Sequence, residues 1–197
     1  MGAGALALPI PIIGKAISST ELLTPGLAVA AKKVLADVAL NTAKSLGASY
    51  ADARIGRYLN QYVFTREMKV QNAVSTESFG IGIRVLKDGT WGFASTNDVS
   101  PDGIKKATEL AISIANANGK IQTDKVVLAP ERGYGEVSWQ TPIEKNAMSV
   151  PVSEKVELLL EANAKALEAG ASYINSGLFQ VNEQKYLATT EGSYIDQ

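Results

Sequence analysis

The clearest alternation of apolar and polar positions along the chain lies between residues 80 and 95. Ile81, Ile83 and Val85 alternate with glycine and arginine, which is the period of two expected of a β-strand. Asp88-Gly89 then supplies a two-residue turn whose residues tolerate positive φ angles. The pattern therefore predicts a tight hairpin whose return strand begins directly after Gly89.

The position of this turn determines which side chains of the hairpin lie opposite each other. Counting outward from it places Leu86 opposite Trp91 and Arg84 opposite Phe93 on one face. Glycines on the same face allow a neighbouring chain or an aromatic ring to approach closely. We therefore predict a face that contacts a peptide or a partner, formed by Gly80, Gly82, Arg84, Trp91 and Phe93. The alternative is that the two aromatic residues belong to the core, with the arginine at its rim.

Three segments have apolar residues at helical spacing. The first is predicted to begin at Thr24-Pro25 and to end at Gly47, and the second to run from Pro101 to Asn118 behind a Ser100 cap. The third is predicted to begin at a Ser153 cap and to end at Gly170. The residues expected to face the core are Leu27, Ala31, Val34, Leu35, Val38 and Leu46, then Ile104, Ala107, Ala111 and Ile114, and finally Val156, Leu159, Leu160 and Leu167.

The remaining strand-like segments are separated from the helices along the chain. Residues 52–64, 69–78 and 173–196 are rich in tyrosine, valine and threonine, whereas residues 120–150 are irregular apart from one short strand predicted at 125–128. Runs of strands alternating with single helices favour an α+β fold over βαβ units. We therefore expect a largely antiparallel sheet with helices packed on it.

The tetrapeptide Gly-Ala-Ser-Tyr occurs twice, at residues 47–50 and 170–173, each time between a predicted helix and a strand. Gln61 and Gln184 match at the same offset. The echo indicates either an internal αβ repeat or two junctions with the same chemistry, since glycine suits a helix end and tyrosine suits a strand.

Two missing residue types restrict the chemistry. The 197 residues contain no histidine and no cysteine, which excludes disulfides, thiol nucleophiles, Ser-His-Asp triads and histidine-based zinc sites. The formal net charge of −1 disfavours nucleic-acid binding, which normally needs clustered cations. We predict no catalytic and no metal-binding residues in this chain.

Residues 1–23 begin with an apolar run interrupted by Pro9, Pro11 and Lys15. The run is too short to span a bilayer, for which about 20 residues are needed. It is either a flexible tail of a cytoplasmic protein or the remnant of an export signal of the twin-arginine type whose start lies further upstream.

The hairpin followed by a capped helix, residues 80–103, resembles the N-terminal domain of the TldD/PmbA family. These proteins are zinc-dependent peptidases that have also been labelled modulators of DNA gyrase. The resemblance covers residues 24–197 as an N-terminal α+β domain. It implies that zinc is bound by a HExxxH motif and a cysteine in a later C-terminal domain, and no position of this chain matches that motif.

The resemblance also implies a function. The chain would be the non-catalytic N-terminal domain of a zinc metallopeptidase, forming part of a substrate tunnel for peptides and of a homo- or heterodimer. The alternative is a binding or assembly module that acts alone, or a zinc-free partner subunit.

Overall fold

The computed structural model describes residues 26–197. The tail or export signal predicted for residues 1–23 and the cap predicted at Thr24-Pro25 lie outside this range. The helices are α1 (Val29–Ser45), α2 (Pro101–Asn118) and α3 (Val152–Glu168), with a 3₁₀ turn at Ala147–Ser149. The strands are β1 (Tyr50–Arg66), β2 (Lys69–Lys87), β3 (Thr90–Thr96), β4 (Gly135–Ser138), β5 (Asn175–Thr189) and β6 (Ser193–Asp196).

All six strands form one sheet in the order β3-β2-β1-β5-β6-β4. Neighbouring strands are antiparallel except for β4 and β6, which are parallel. Strand β1 pairs with β2 from Tyr50 to Arg66 and with β5 from Asp52 to Arg66. The predicted α+β class with a largely antiparallel sheet is confirmed. Each described helix is too short or too polar to cross a lipid bilayer.

The two faces of the sheet have different environments because side chains alternate along each strand. Odd-numbered residues of β1, such as Ala53 and Ile55, are buried beneath the helices. The core there combines α1 and α2 with β1 and β2. Even-numbered residues point to the opposite face, which no helix of residues 26–197 covers. We call this the open face.

The hairpin and the second helix are confirmed. Asp88 and Gly89 have φ angles of 50° and 75°, and the pairing places Leu86 opposite Trp91 and Arg84 opposite Phe93. The Ser100 side chain accepts a hydrogen bond of 3.1 Å from the backbone N–H of Gly103, which caps α2 as predicted.

Several predicted boundaries are wrong. Helix α1 begins at Val29 and not at the predicted Thr24-Pro25, and residues 26–28 are not helical. Gly26 lies against the Gln184 side chain of β5. The segments predicted at 69–78 and after residue 80 are one 19-residue strand, since β1 pairs with β2 along its whole length. Residues 125–128 are not a strand, although Val126 donates a backbone hydrogen bond to Gly89.

The predicted inward faces of the helices need correction as well. Val34 is exposed on α1, and on α2 Ile112 is buried whereas Ile114 is only partly buried. Helix α3 begins at Val152, so Ser153 lies inside the first turn and does not cap it. The buried residues of α3 are Lys155, Leu159 and Asn163, and of the four predicted only Leu159 is among them.

Helix α3 is held on the sheet by polar groups because it lies over a polar part of β1 and β5. The Lys155 ammonium donates to the side-chain oxygen of Gln61, to that of Gln180 at 2.6 Å and to the Ala147 carbonyl at 2.7 Å. Burial lowers the pKa of Lys155. The apolar cluster at this end of the sheet consists of Leu59 and Met148.

The glycine of the hairpin turn provides a test of the strand pairing. We expect Gly89→Val to cost roughly 1–3 kcal/mol, because a β-branched residue is strained at positive φ. A Cβ atom at Gly89 would also lie 2.7 Å from the Cβ atom of Lys125. Asp88→Asn is the matched control, since asparagine tolerates the same conformation. Thermal melts that show equal stability for Gly89→Val and the parent would contradict the turn geometry.

A second prediction concerns the polar attachment of α3. Asn163 donates to the Thr65 hydroxyl at 3.0 Å and to the Glu67 carbonyl at 2.6 Å, and accepts from the Ser176 hydroxyl at 2.5 Å. Asn163→Ala should cost about 1–3 kcal/mol because these buried groups lose their partner.

The control for this variant is Lys165→Ala on the same helix, where the side chain is 72 % exposed. It should change the free energy of unfolding by no more than about 0.5 kcal/mol. Urea denaturation measures both variants, and hydrogen exchange should show faster opening of α3 in Asn163→Ala alone. Equal effects of the two substitutions would contradict the prediction.

Candidate functional site

The predicted contact residues lie together on the open face of β2 and β3. Strand pairing places Arg84 beside Phe93, with Gly82 and then Gly80 further along β2. Trp91 follows Phe93 on the same face towards the turn. The structure therefore places all five predicted residues on one surface: Gly80, Gly82, Arg84, Trp91 and Phe93.

Arg84 is anchored by a buried carboxylate. Its Nε and Nη2 atoms lie 2.8 and 2.7 Å from Oδ2 of Asp52, whose side chain is 1 % exposed. The guanidinium lies over the Trp91 ring at 4.6 Å from the centroid, and Trp91 meets Tyr50 edge-on at 5.9 Å. Arg84 therefore stacks on Trp91, and both side chains are half-buried parts of a structural cluster.

The electrostatics of this cluster follow from the shared carboxylate. Burial works to lower the pKa of Arg84, but the hydrogen bonds and charge of Asp52 outweigh it and raise the pKa. Burial also raises the pKa of Tyr50, with a further contribution from Asp52. The second oxygen of Asp52, Oδ1, is buried and receives no hydrogen bond, although Nε of Arg54 lies 3.1 Å away.

Phe93 differs from its neighbours because 57 % of its surface is exposed. Its ring lies over Gly82, where an added Cβ atom would be 3.2 Å from the ring. The alternative that Phe93 is a core residue is therefore wrong for the described part of the chain.

A groove runs along the open face beside these residues, with a volume of about 990 Å³. Its floor contains Gly80, Gly82 and Gly56, and Gly56 is the direct partner of Gly80 in the sheet. The Tyr58 ring lies so close to Gly56 that an added Cβ atom would be 2.7 Å from it. We call this the glycine groove; its other side chains on the open face include Arg54, Ser78, Ser95, Lys185 and Leu187.

The charged side chains that line the glycine groove, within the described residues, are Arg54 and Lys185. Lys185 is paired with Glu183, and this hydrogen bond raises the pKa of the lysine. Arg54 is 60 % exposed and has Asp52 as its ion-pair partner. The groove therefore presents two cations, and both of their carboxylate partners lie outside its lining.

Sequence reasoning missed the contribution of β1 and β5 to this surface. Along β1, buried residues alternate with Arg54, Gly56 and Tyr58. This alternation could have indicated that the three residues lie on the face opposite the core. Lys185 could not be placed beside them without the register of β5 against β1, in which Gly56 pairs with Lys185.

The residues present do not fit a zinc site. Zinc in proteins is held mainly by histidine and cysteine, and the chain contains neither. Residues 26–197 also contain no group of three carboxylates that could hold a metal ion. The side chains that the groove presents include aromatic rings and cations beside the three glycines.

Comparison with known proteins shows that this chain is similar to the first domain of TldD/PmbA-type proteins. A sequence profile described as PmbA/TldA metallopeptidase domain 1 matches residues 51–115, which include β1, β2, β3 and most of α2. A metalloprotease of Methanothermobacter thermautotrophicus is 28 % identical over 150 residues, covering 75 % of this chain and 31 % of that protein. A metalloprotease PmbA homologue of Haemophilus influenzae is 30 % identical over 142 residues. The match covers 70 % of this chain and 30 % of that protein.

The crystal structure of TldE from Thermococcus kodakarensis has a similar fold, with a TM-score of 0.65 at 18 % identity. The match covers 85 % of this chain and 36 % of that one. The chain thus spans about a third of the length of the relatives that it matches. It carries a PmbA/TldD-type first domain and is a distant homologue of the TldD and PmbA metalloproteases over part of their length.

Proposed function

We propose that this chain is the non-catalytic N-terminal domain of a TldD/PmbA-type zinc metallopeptidase that cleaves peptides. The observation that carries the proposal is the match of residues 51–115 to the first domain of these enzymes. The zinc ligands would come from a HExxxH motif and a cysteine in a later domain, since this chain has neither histidine nor cysteine.

In this role the open face contributes to the wall of a peptide tunnel. The exposed Phe93 ring and the glycine groove support this assignment, because they leave apolar and backbone surface accessible beside half-buried aromatic residues. Glycines on a strand allow another backbone to approach closely. The domain would also take part in a dimer, formed either by two identical chains or by two different family members.

A second candidate is a zinc-free partner subunit or a separate binding module. The absence of every histidine and cysteine fits it, because a zinc-free subunit or module needs no zinc ligands. The nucleotide sequence after the codon for Gln197 separates the two candidates. An open frame that continues into a HExxxH motif supports the metallopeptidase domain, and a stop codon supports the partner subunit or module.

The purified chain should neither bind zinc stoichiometrically nor hydrolyse peptides. Its possible ligands are carboxylates, which hold zinc weakly in the absence of nitrogen or sulfur donors. Metal analysis after dialysis and a casein cleavage assay measure the two properties. One tightly bound zinc ion per chain, or cleavage that a chelator stops, would overturn the assignment as a non-catalytic domain.

A further inference from the structure

We propose that the glycine groove binds an acidic segment of polypeptide in an extended conformation. The inference rests on the proposed function in one respect, since it assumes that the open face meets a peptide. It adds the chemical class of that peptide, which follows from the shape of the groove and from its charges.

The shape follows from the register of four strands. Ser95, Gly82, Arg54 and Leu187 form one row across β3, β2, β1 and β5. With strands about 4.8 Å apart, the row is about 14 Å long, which equals about four extended residues at ~3.3 Å each. Gly80 and Gly56 form the neighbouring row. The Tyr58 ring lies against Gly56 and the Phe93 ring against Gly82, so the glycines leave room for two aromatic rings on the open face.

The charge of the groove favours carboxylates. Arg54 and Lys185 are diagonal neighbours, because Arg54 pairs with Leu187 and Gly56 pairs with Lys185. Such neighbours lie about 7–8 Å apart, within the reach of acidic side chains two positions apart on an extended chain. Both side chains are substantially exposed, at 60 % and 46 %.

The exposed guanidinium of Arg54 can donate hydrogen bonds to a ligand. Its partner Asp52 already accepts a hydrogen bond from Nε of Arg84 at Oδ2, which also lies 2.7 Å from Nη2 of Arg84, and Oδ1 receives none. One buried carboxylate therefore serves two guanidinium groups, and the more exposed guanidinium faces the groove. A carboxylate from a ligand would meet the planar donor fork of Arg54, which suits bidentate pairing.

A peptide fits this surface better than a small anion does. Phosphate sites usually consist of free backbone N–H groups at a helix start or in a glycine-rich loop. The backbone groups of β1 are paired with β2 and β5 along the groove. The lining offers hydroxyl groups of Ser78 and Ser95 instead, spread over the length of a short extended chain.

Fluorescence polarisation with the full 197-residue chain at low salt tests the proposal. The probes are an eight-residue peptide of alternating glutamate and alanine and its counterpart with glutamine in place of glutamate. We expect the glutamate peptide to bind at least about tenfold more tightly, with Arg54→Gln and Lys185→Gln each weakening it several-fold. Lys106→Gln, on the exposed side of α2, is the charge-matched control and should leave the affinity unchanged.

A variant that keeps the charge tests the groove itself. Gly82→Val adds a β-branched side chain to the floor, where valine suits a strand and the Phe93 ring must shift by a few tenths of an ångström. It should abolish peptide binding while the circular dichroism spectrum and the melting temperature show a folded chain. If this variant unfolds, Arg54→Gln and Lys185→Gln still decide the question.

Three results would overturn the proposal: equal affinity for the two peptides, equal loss with Lys106→Gln and Arg54→Gln, or displacement of the peptide by millimolar inorganic phosphate. The proposed function fails separately, if the gene encodes no HExxxH domain after Gln197. Selective binding of the glutamate peptide would then still establish the groove as an acidic-peptide site.

Discussion

The structure depends on the pairing of β1 along both of its edges. The strand is hydrogen-bonded to β2 from Tyr50 to Arg66 and to β5 from Asp52 to Arg66. Because side chains alternate along each strand, this double register decides which residues lie beneath the helices and which lie on the open face, up to the shift in the β1–β2 register between Phe64 and Thr65. A slip by one residue would expose Ala53 and Ile55 and bury Arg54.

The helix-covered face uses two kinds of contact along the same strand. Near the start of β1, α1 packs on small apolar side chains of that strand, which allows close approach, while α2 packs on the neighbouring β2 and β3. Towards the end of β1, α3 is attached through the buried Lys155 and Asn163, which satisfy side-chain amides, hydroxyls and carbonyls of the sheet. Buried polar groups of this kind are costly to leave unpaired, so they specify where α3 sits rather than adding a large apolar contribution to stability.

The open face is the part of the structure on which the proposed contact with a peptide depends. Arg84 and Trp91 are held by Asp52 and Tyr50, so they form a rigid border. Phe93 and the glycine groove remain accessible beside them. In the proposed function this surface would position a peptide, and the zinc would need histidine and cysteine ligands from outside residues 1–197, which contain neither.

The local features of this protein could be predicted from the sequence, because each depends on neighbouring residues alone. Asp88-Gly89 determines a turn with two positive φ angles, Ser100 determines the start of α2, and the absence of histidine and cysteine determines that zinc has no ordinary ligand here. The attachment of α3 to the sheet through polar side chains could not be predicted, since the pattern of leucines in residues 153–170 indicates an apolar face. The glycine groove could not be predicted from the sequence either. Arg54 and Lys185 are 131 positions apart, and only the pairing of β1 with β5 brings them together, because strand register is a property of the whole sheet.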